Sequence, residues 1–324
     1  VKGKLFAFGQ EQIFNSDDTA GLNSTELAWL KEVVNKPKTI EVKQFHAVQS
    51  PIKTNQFFDI ELEDAGKYFL QKQRRSIGIS EEEIIRIAIK SMGLDELSPF
   101  DPKKKIIEYV MDDNASKKLI DMNLVEFANE TASESPAPGG GSISAYVASL
   151  GASLGTMVAN LSSHKKGWDE QWDVFSNWAA KGQQLKDDLL KLVDEDTKAF
   201  SKIMNAFSLP KNTVEEKAAR SAAIQSATLY ATEIPLLTMK KSIACYPLIR
   251  EMVNIGNPNS LSDAAVGALC IRAAVYGAYL NVKINASGLK DRVVADAMVA
   301  EATVLLAKSN AEEADILRIT EEKM

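Results

Sequence analysis

Apolar positions recur at helical spacing over most of the second half of this chain. Between Gly182 and Phe207 they fall at Leu185, Leu189, Val193, Phe200, Ile203 and Phe207, which predicts one amphipathic helix. Thr213 and Glu216, following Pro210, form a capping box for a helical stretch reaching about Val253, with breaks or kinks expected at Pro235 and Pro247. Leu261 to about Ala286 and Lys290 to about Ile319 predict the last two long helices. No strand-like alternation follows residue 120, so this half reads as an all-α helical bundle.

Nearer the start the pattern is mixed. Asn23 with Glu26 opens a short helix through Leu27, Leu30 and Val34 that Pro37 closes, while Thr39 to Phe45 and Phe58 to Leu62 alternate as short strands. Ser80 and Glu83 cap a helix carrying Ile84, Ile85, Ile87, Ala88 and Met92, stopped at Gly93, and Asp101-Pro102 begins another through Ile106, Ile107 and Val110. The polar run 112–118 reads as a linker. The expected organisation is therefore a mixed α/β segment over 1–60, a second segment over 61–111, the linker, and an all-α domain over 119–324.

Composition narrows the function. The 324 residues carry a net charge of −6, which argues against a nucleic-acid partner. Cys245 and Cys270 stand apart in apolar sequence, and only His46 and His164 are present, so a reducing, cytoplasmic setting fits and no metal site is expected. The chain opens Val1-Lys2-Gly3, without a visible secretory leader. Ile143 to Leu161 is long enough to span a bilayer, but Ser144, Ser149, Ser153, Thr156 and Asn160 dilute it, and no membrane partner is expected. Gly151, Gly155 and Ala159, four apart, invite close approach of another helix, from this chain or from a second copy.

From Ser135 to His164 there is no Asp, Glu, Lys or Arg. Pro136, Pro138 and the glycines Gly139, Gly140 and Gly141 read as a tight turn feeding a helix from Ser142, a junction rich in unpaired N–H groups and suited to holding an anion. Asp196 lies between Val193 and Phe200 on the core-facing stripe. There it either pairs with a buried cation or helix terminus, or keeps its proton with a raised pKa. Asp194 points to another face and is expected to be solvated. Asp263 either caps the helix entered through Ser260 or belongs to a site. Asn281 and Asn285 share a stripe with Ala274 and Ala278, and either satisfy each other and the backbone or read the polar edge of a ligand ring.

Five blocks, taken in order, carry a family resemblance: 136–142 with the small-residue helix behind it, Leu192-Val-Asp-Glu-Asp-Thr-Lys-Ala-Phe200, Leu209-Pro-Lys-Asn-Thr-Val-Glu-Glu-Lys217, Gly256-Asn257 with Ser262-Asp263, and Gly277-Ala-Tyr-Leu-Asn-Val-Lys-Ile-Asn285. Over roughly 120–324 the chain resembles the formiminotetrahydrofolate cyclodeaminase/cyclohydrolase family. Gly93-Leu-Asp-Glu-Leu-Ser-Pro-Phe-Asp-Pro102 and Ile106-Ile-Glu-Tyr109 resemble the C-terminal end of the formiminotransferase domain that precedes it in some organisms. Only that tail is recognisable, so formimidoyl transfer is not expected.

The resemblance implies conversion of 5-formimidoyltetrahydrofolate to 5,10-methenyltetrahydrofolate and ammonia, in one-carbon metabolism and histidine breakdown. A methenyltetrahydrofolate cyclohydrolase, one half of a bifunctional glutamate formimidoyltransferase-cyclodeaminase, and a folate-binding helical scaffold without turnover are the alternatives. It further implies a homodimer or higher homo-oligomer, no cofactor beyond the folate substrate, which can carry a polyglutamyl tail, and Asp196 as the acid. Gly139, Gly140, Gly141 and Ser142 would then bind substrate, with Asp263, Asn281 and Asn285 as further candidates.

Overall fold

The computed structural model describes residues 57–96, 98–112 and 118–324. They divide into two compact units, residues 57–69 with 81–112, and residues 70–80 with 118–324. The helix expected after Asn23 and the strand from Thr39 lie outside the described residues, as does His46.

In the first unit, α1 (Asp59–Lys72) replaces the strand expected at Phe58 to Leu62. The apparent alternation, Phe58, Ile60 and Leu62 about Asp59 and Glu61, was only five residues long. Ile60 is exposed, whereas Leu62, Ala65 and Leu70 are buried at helical spacing, and Asp59 and Glu61 favour the positive N-terminal end. Among the described residues there is no strand, and the N-terminal α/β character is not found there. One isolated parallel bridge joins Phe57 to Ile106. Helix α2 (Glu81–Ser91) buries Ile84, Ile85, Ala88 and Ile89, and Gly93 follows it with φ of +67°. Asp101 caps α3 (Pro102–Lys105) by accepting from the Lys103 amide. The helix expected to run on through Ile106 is interrupted there, because Ile106 turns extended to make its bridge, and α4 (Ile107–Asp112) resumes.

The second unit is all-α. It comprises α5 (Leu124–Thr131), α6 (Gly140–Ser163), α7 (Trp172–Ser208), α8 (Val214–Ile243), α9 (Tyr246–Ile255), α10 (Leu261–Ser287) and α11 (Arg292–Lys323). The capping boxes at Asn123 with Glu126 and at Thr213 with Glu216 are both formed. Helix α6 is central, packed mainly on α7 and α10. Its small residues serve this packing. A methyl on Gly151 would lie 2.9 Å from the Gly267 carbonyl of α10, and one on Gly267 would lie 3.1 Å from the Gly151 carbonyl. The glycine stripe is thus an intramolecular crossing. Helix α6 and the stretch Pro258–Ser287 are each long and apolar enough, by length and composition, to cross a membrane.

Of the two prolines expected to break or kink the stretch, Pro247 marks a break and Pro235 does not. Pro247 sits in the first turn of α9, after α8 has ended at Ile243. Pro235 lies inside α8 without breaking it. A proline at 235 has no N–H for the carbonyl four residues back. That carbonyl, on Ala231, instead accepts a 2.7 Å bond from Asn285 Nδ2 of α10.

Candidate functional site

The site grows from the start of α6. The helix begins at Gly140, with Gly139 as its N-cap, so the glycines form its first turn instead of a loop before Ser142. None of the three has a positive φ, so conformational freedom is not what they supply. They supply room. The space a Gly141 side chain would fill is occupied by the Asp196 carboxylate, with Oδ1 2.1 Å from the would-be Cβ. At Gly140 the neighbour is Asn281 Nδ2, 3.3 Å away.

Asp196 comes from α7, which starts ten residues before the expected Gly182. Its buried stripe is Leu185, Leu189, Leu192, Val193, Ala199 and Ala206, while Phe200 and Phe207 are exposed. Asp196 sits at the edge of that stripe, half-buried. Its Oδ2 accepts a 3.0 Å bond from the Ser142 hydroxyl, and the Ser142 amide also donates to the carboxylate. Of the pairings open in the sequence, the structure takes the helix terminus, and no cation contributes to its titration.

Burial pushes the Asp196 carboxyl above the usual carboxylate range, and the two Ser142 bonds oppose that only in part. The positive end of α6 acts in the same direction as those bonds. The outcome is a carboxyl that holds its proton more tightly than an exposed aspartate, yet has donors ready to receive its anion. Such a group can give up and recover a proton in a site shielded from bulk water. Thr197 Oγ1, 3.4 Å from the Ser142 hydroxyl, extends the polar cluster and was not singled out from the sequence. Its position next to Asp196 was the available signal.

The structure gathers Gly140, Gly141, Ser142, Asp196 and Asn281, and separates the others. Asn281 Nδ2 also bonds to the Gly277 carbonyl, one turn back, at 2.9 Å. Asn285 is committed to Ala231, which is a structural role. Asp263 stands in the first turn of α10, eighteen residues before Asn281, or about 27 Å of helix rise. It is not part of this cluster. Nor does Ser260 make a side-chain cap there; the bond from the Asn259 amide to Asn257 Oδ1 caps the preceding short 3-10 turn, Pro258–Ser260. Asp194 is not solvated as expected, since its Oδ1 accepts a 2.7 Å bond from the Leu119 amide and its Oδ2 is buried without a partner. Cys245 is buried, its thiol pushed up to about 12 by burial. No metal-binding cluster of His, Cys, Asp and Glu occurs among the described residues.

Comparison with known proteins gives this geometry a context. Residues 123–304 match the model of the formiminotransferase-cyclodeaminase family, and residues 59–112 match that of the formiminotransferase domain. Formimidoyltransferase-cyclodeaminase of Rattus norvegicus is 36% identical over 71% of this chain, a stretch that covers 42% of the rat protein. Methenyltetrahydrofolate cyclohydrolase of Methylorubrum extorquens is 39% identical over 57% of this chain and 89% of its own length. A solved structure of formiminotetrahydrofolate cyclodeaminase from Thermotoga maritima matches 63% of this chain and 98% of that one, with a TM-score of 0.56 and 23% identity, a likeness of fold. The chain spans less than half the length of the rat, mouse and chicken relatives it matches. With its helical unit matched across most of its length, the chain belongs to the formiminotransferase-cyclodeaminase family.

Proposed function

We propose that the helical unit is a formimidoyltetrahydrofolate cyclodeaminase, an ammonia-lyase whose acid is Asp196. In this reaction folate N10 adds to the formimino carbon and its proton passes to the imino nitrogen. A second proton turns that nitrogen into a leaving group, and the C–N bond breaks to give ammonia and the 5,10-methenyl cation. The nitrogen cannot depart as an amide anion, so the protein must supply a proton at that atom. The observation that carries the reading is Asp196, half-buried, with a raised pKa, lodged against the first turn of α6 where Gly141 leaves space. No metal or redox step is required by this chemistry.

Because Asp196 already occupies the N-terminus of α6, that terminus is a poor place for a second anion. The glycine turn therefore fits the neutral reacting end of the folate better than its acidic tail. Asn281, facing Gly140, is the remaining candidate to orient a ring edge.

The second reading is a methenyltetrahydrofolate cyclohydrolase, favoured by the Methylorubrum extorquens relative, which matches over nearly its full length. Supplying each folate to the purified chain separates the two. Appearance of the methenyl absorbance with equimolar ammonia supports the cyclodeaminase. Consumption of added methenyltetrahydrofolate, without ammonia from the formimidoyl compound, supports the cyclohydrolase.

A homo-oligomer in a cytoplasmic setting completes the proposal. With the glycines of α6 used internally, the surface left for a second copy is apolar and large-sided: Leu150, Met157 and Leu161 on α6, and Leu269, Leu280 and Ile284 on α10 are exposed. A monomeric mass in light scattering at micromolar concentration, with full activity, would contradict it.

A further inference from the structure

Each turnover of the proposed reaction leaves Asp196 one proton short. The departing ammonia carries away the proton that Asp196 supplied together with the one from N10, so the carboxylate has to be recharged from solvent before it can act again. No titratable side chain bonds to it; the Ser142 hydroxyl and amide are its partners. The adjacent acids are engaged. Glu195 accepts from Lys198 Nζ at 2.7 Å and from the Tyr230 hydroxyl at 2.6 Å, which hold it below the usual carboxylate range, and Asp194 Oδ1 accepts from the Leu119 amide. His164, the one described histidine, stands at the far end of α6, about 33 Å of helix rise from Ser142.

Ser142 is fully buried, and its hydroxyl gives its one proton to the bond with Asp196 Oδ2. Its oxygen can still accept, and the group that faces it is Thr197 Oγ1 at 3.4 Å, on a residue that is partly exposed. The Thr197 hydroxyl differs from the others in these helices. Thr156, Thr228, Thr232, Thr238 and Thr320 each donate to the carbonyl four residues back. Thr197 has the Val193 carbonyl in the same relation and does not use it; Ser142 is its hydroxyl's sole hydrogen-bond partner among the described residues. The separation of 3.4 Å is long for a pair of hydroxyls, and hydrogen bonds that serve catalysis commonly tighten only when substrate is bound.

Two hydroxyls in series have two directions, one for each protonation state of the acid. With Asp196 ionised, Thr197 donates to Ser142 and Ser142 donates to Asp196. With Asp196 protonated every bond reverses, so that the carboxyl donates to Ser142, Ser142 to Thr197, and Thr197 to water. We propose that Thr197 and Ser142 form the path by which Asp196 regains its proton between turnovers. The Ser142 hydroxyl proton passes to Asp196 Oδ2, the Thr197 hydroxyl proton replaces it on Ser142, and a hydronium ion or buffer acid at the surface restores Thr197. The net transfer is one proton from solvent to the carboxylate, with no change of oxidation state. Thr197 touches no reacting atom and acts through Ser142. The assignment rests on the cyclodeaminase reading for its purpose, and on the run of three oxygens for its geometry.

Thr197→Val removes the hydroxyl and keeps the branched shape, and Thr197→Ser restores the hydroxyl. With enzyme in excess over 5-formimidoyltetrahydrofolate, Asp196 uses the proton it already holds. Thr197→Val should therefore lose far more in steady-state turnover than in a single turnover. Its kcat should fall about tenfold, less than the ~10²–10⁴-fold for loss of the acid itself, and should climb again with added imidazole buffer, whose imidazolium delivers the proton directly. Thr197→Ser should need no such help. An unchanged kcat in Thr197→Val overturns the path. Equal losses in single and steady-state turnover, relieved by neither imidazole nor serine, also overturn it and mark a structural effect on Asp196. Titration of the Asp196 carboxyl by carboxyl-carbon NMR needs no turnover. Thr197→Val should move its midpoint upward, because Ser142 loses the donor that reinforces its bond to the anion, and Thr197→Ser should not. An unmoved midpoint in Thr197→Val would show that the hydroxyls are not joined. Absence of ammonia release by the unsubstituted chain would sink the proposed activity, and the titration would still decide whether Thr197 reaches Asp196 through Ser142.

Discussion

A methyl group on Gly141 would stand 2.1 Å from Oδ1 of Asp196. The missing side chain of one helix is therefore the seat for the carboxylate of another. Alanine in place of glycine inside a helix ordinarily adds up to about 1 kcal/mol of stability. At Gly141 it has to expel the carboxylate, so Gly141→Ala should cut ammonia release by roughly 10²-fold or more, close to loss of a positioned acid. At Gly139 the nearest atom to an added methyl is the Pro136 carbonyl oxygen, 3.8 Å away. Gly139→Ala should fold with a melting temperature near that of the unsubstituted chain. Equal activity loss in both variants would mean that crowding of Asp196 is not the cause.

Asn285 and Pro235 should be thermodynamically coupled. Asn285→Ala leaves the Ala231 carbonyl unsatisfied, at a cost of about 1–3 kcal/mol, which thermal unfolding resolves. In a Pro235→Ala background the backbone regains an N–H for that carbonyl, and the same substitution should cost much less. A double-mutant cycle showing simple additivity would contradict the arrangement.

Asp194 predicts the reverse of a catalytic signature. Its Oδ1 holds the Leu119 amide, so Asp194→Ala should lower stability by about 1–3 kcal/mol while the rate per folded molecule stays near normal. A large rate loss without loss of stability would move the acid from Asp196 to Asp194.

The raised pKa of Asp196 has a stability consequence with a definite sign. Between the ordinary carboxylate value and the raised one, the folded state binds more protons than the unfolded state, so stability falls as pH rises through that window. Below the ordinary value, about 4, both states are protonated and the group contributes no pH dependence. Asp196→Asn removes the titration. The melting temperature of the Asn variant relative to the unsubstituted chain should therefore climb from about pH 4 upward and level off above the raised pKa. A difference that stays flat, or shrinks, would show that the folded-state pKa is not raised.

Much of this arrangement was legible in the sequence, and the failures have specific causes. Long helices such as α8 and α10 announced themselves through period and caps, and the family blocks led to Asp196 and the glycines. The placement of the glycines was misread because a run of three after two prolines looks like a tight turn, whereas they open the helix itself, and Gly141 faces a carboxylate arriving from residue 196, a contact invisible to local pattern. Phe200 and Phe207 look like core residues by type, yet the alanines beside them, Ala199 and Ala206, take the buried positions because α7 packs closely there. Asn285 could be narrowed to a ligand role or a structural one, but choosing required knowing that Pro235 on another helix leaves a carbonyl free. Asp263 shares a sequence block with the family motifs and still lies some 27 Å along α10 from the cluster, since one long helix can carry polar residues at both ends.

The central claim is that Asp196 supplies the proton for ammonia departure, and Asp196→Asn tests it with shape retained and the titratable proton removed. Asparagine can still accept the Ser142 bonds, so the fold and folate binding should persist, with the melting temperature held or raised. Ammonia release from 5-formimidoyltetrahydrofolate should fall ~10²–10⁴-fold, with the methenyl absorbance falling in step. Near-normal turnover by a folded Asp196→Asn chain would contradict the account.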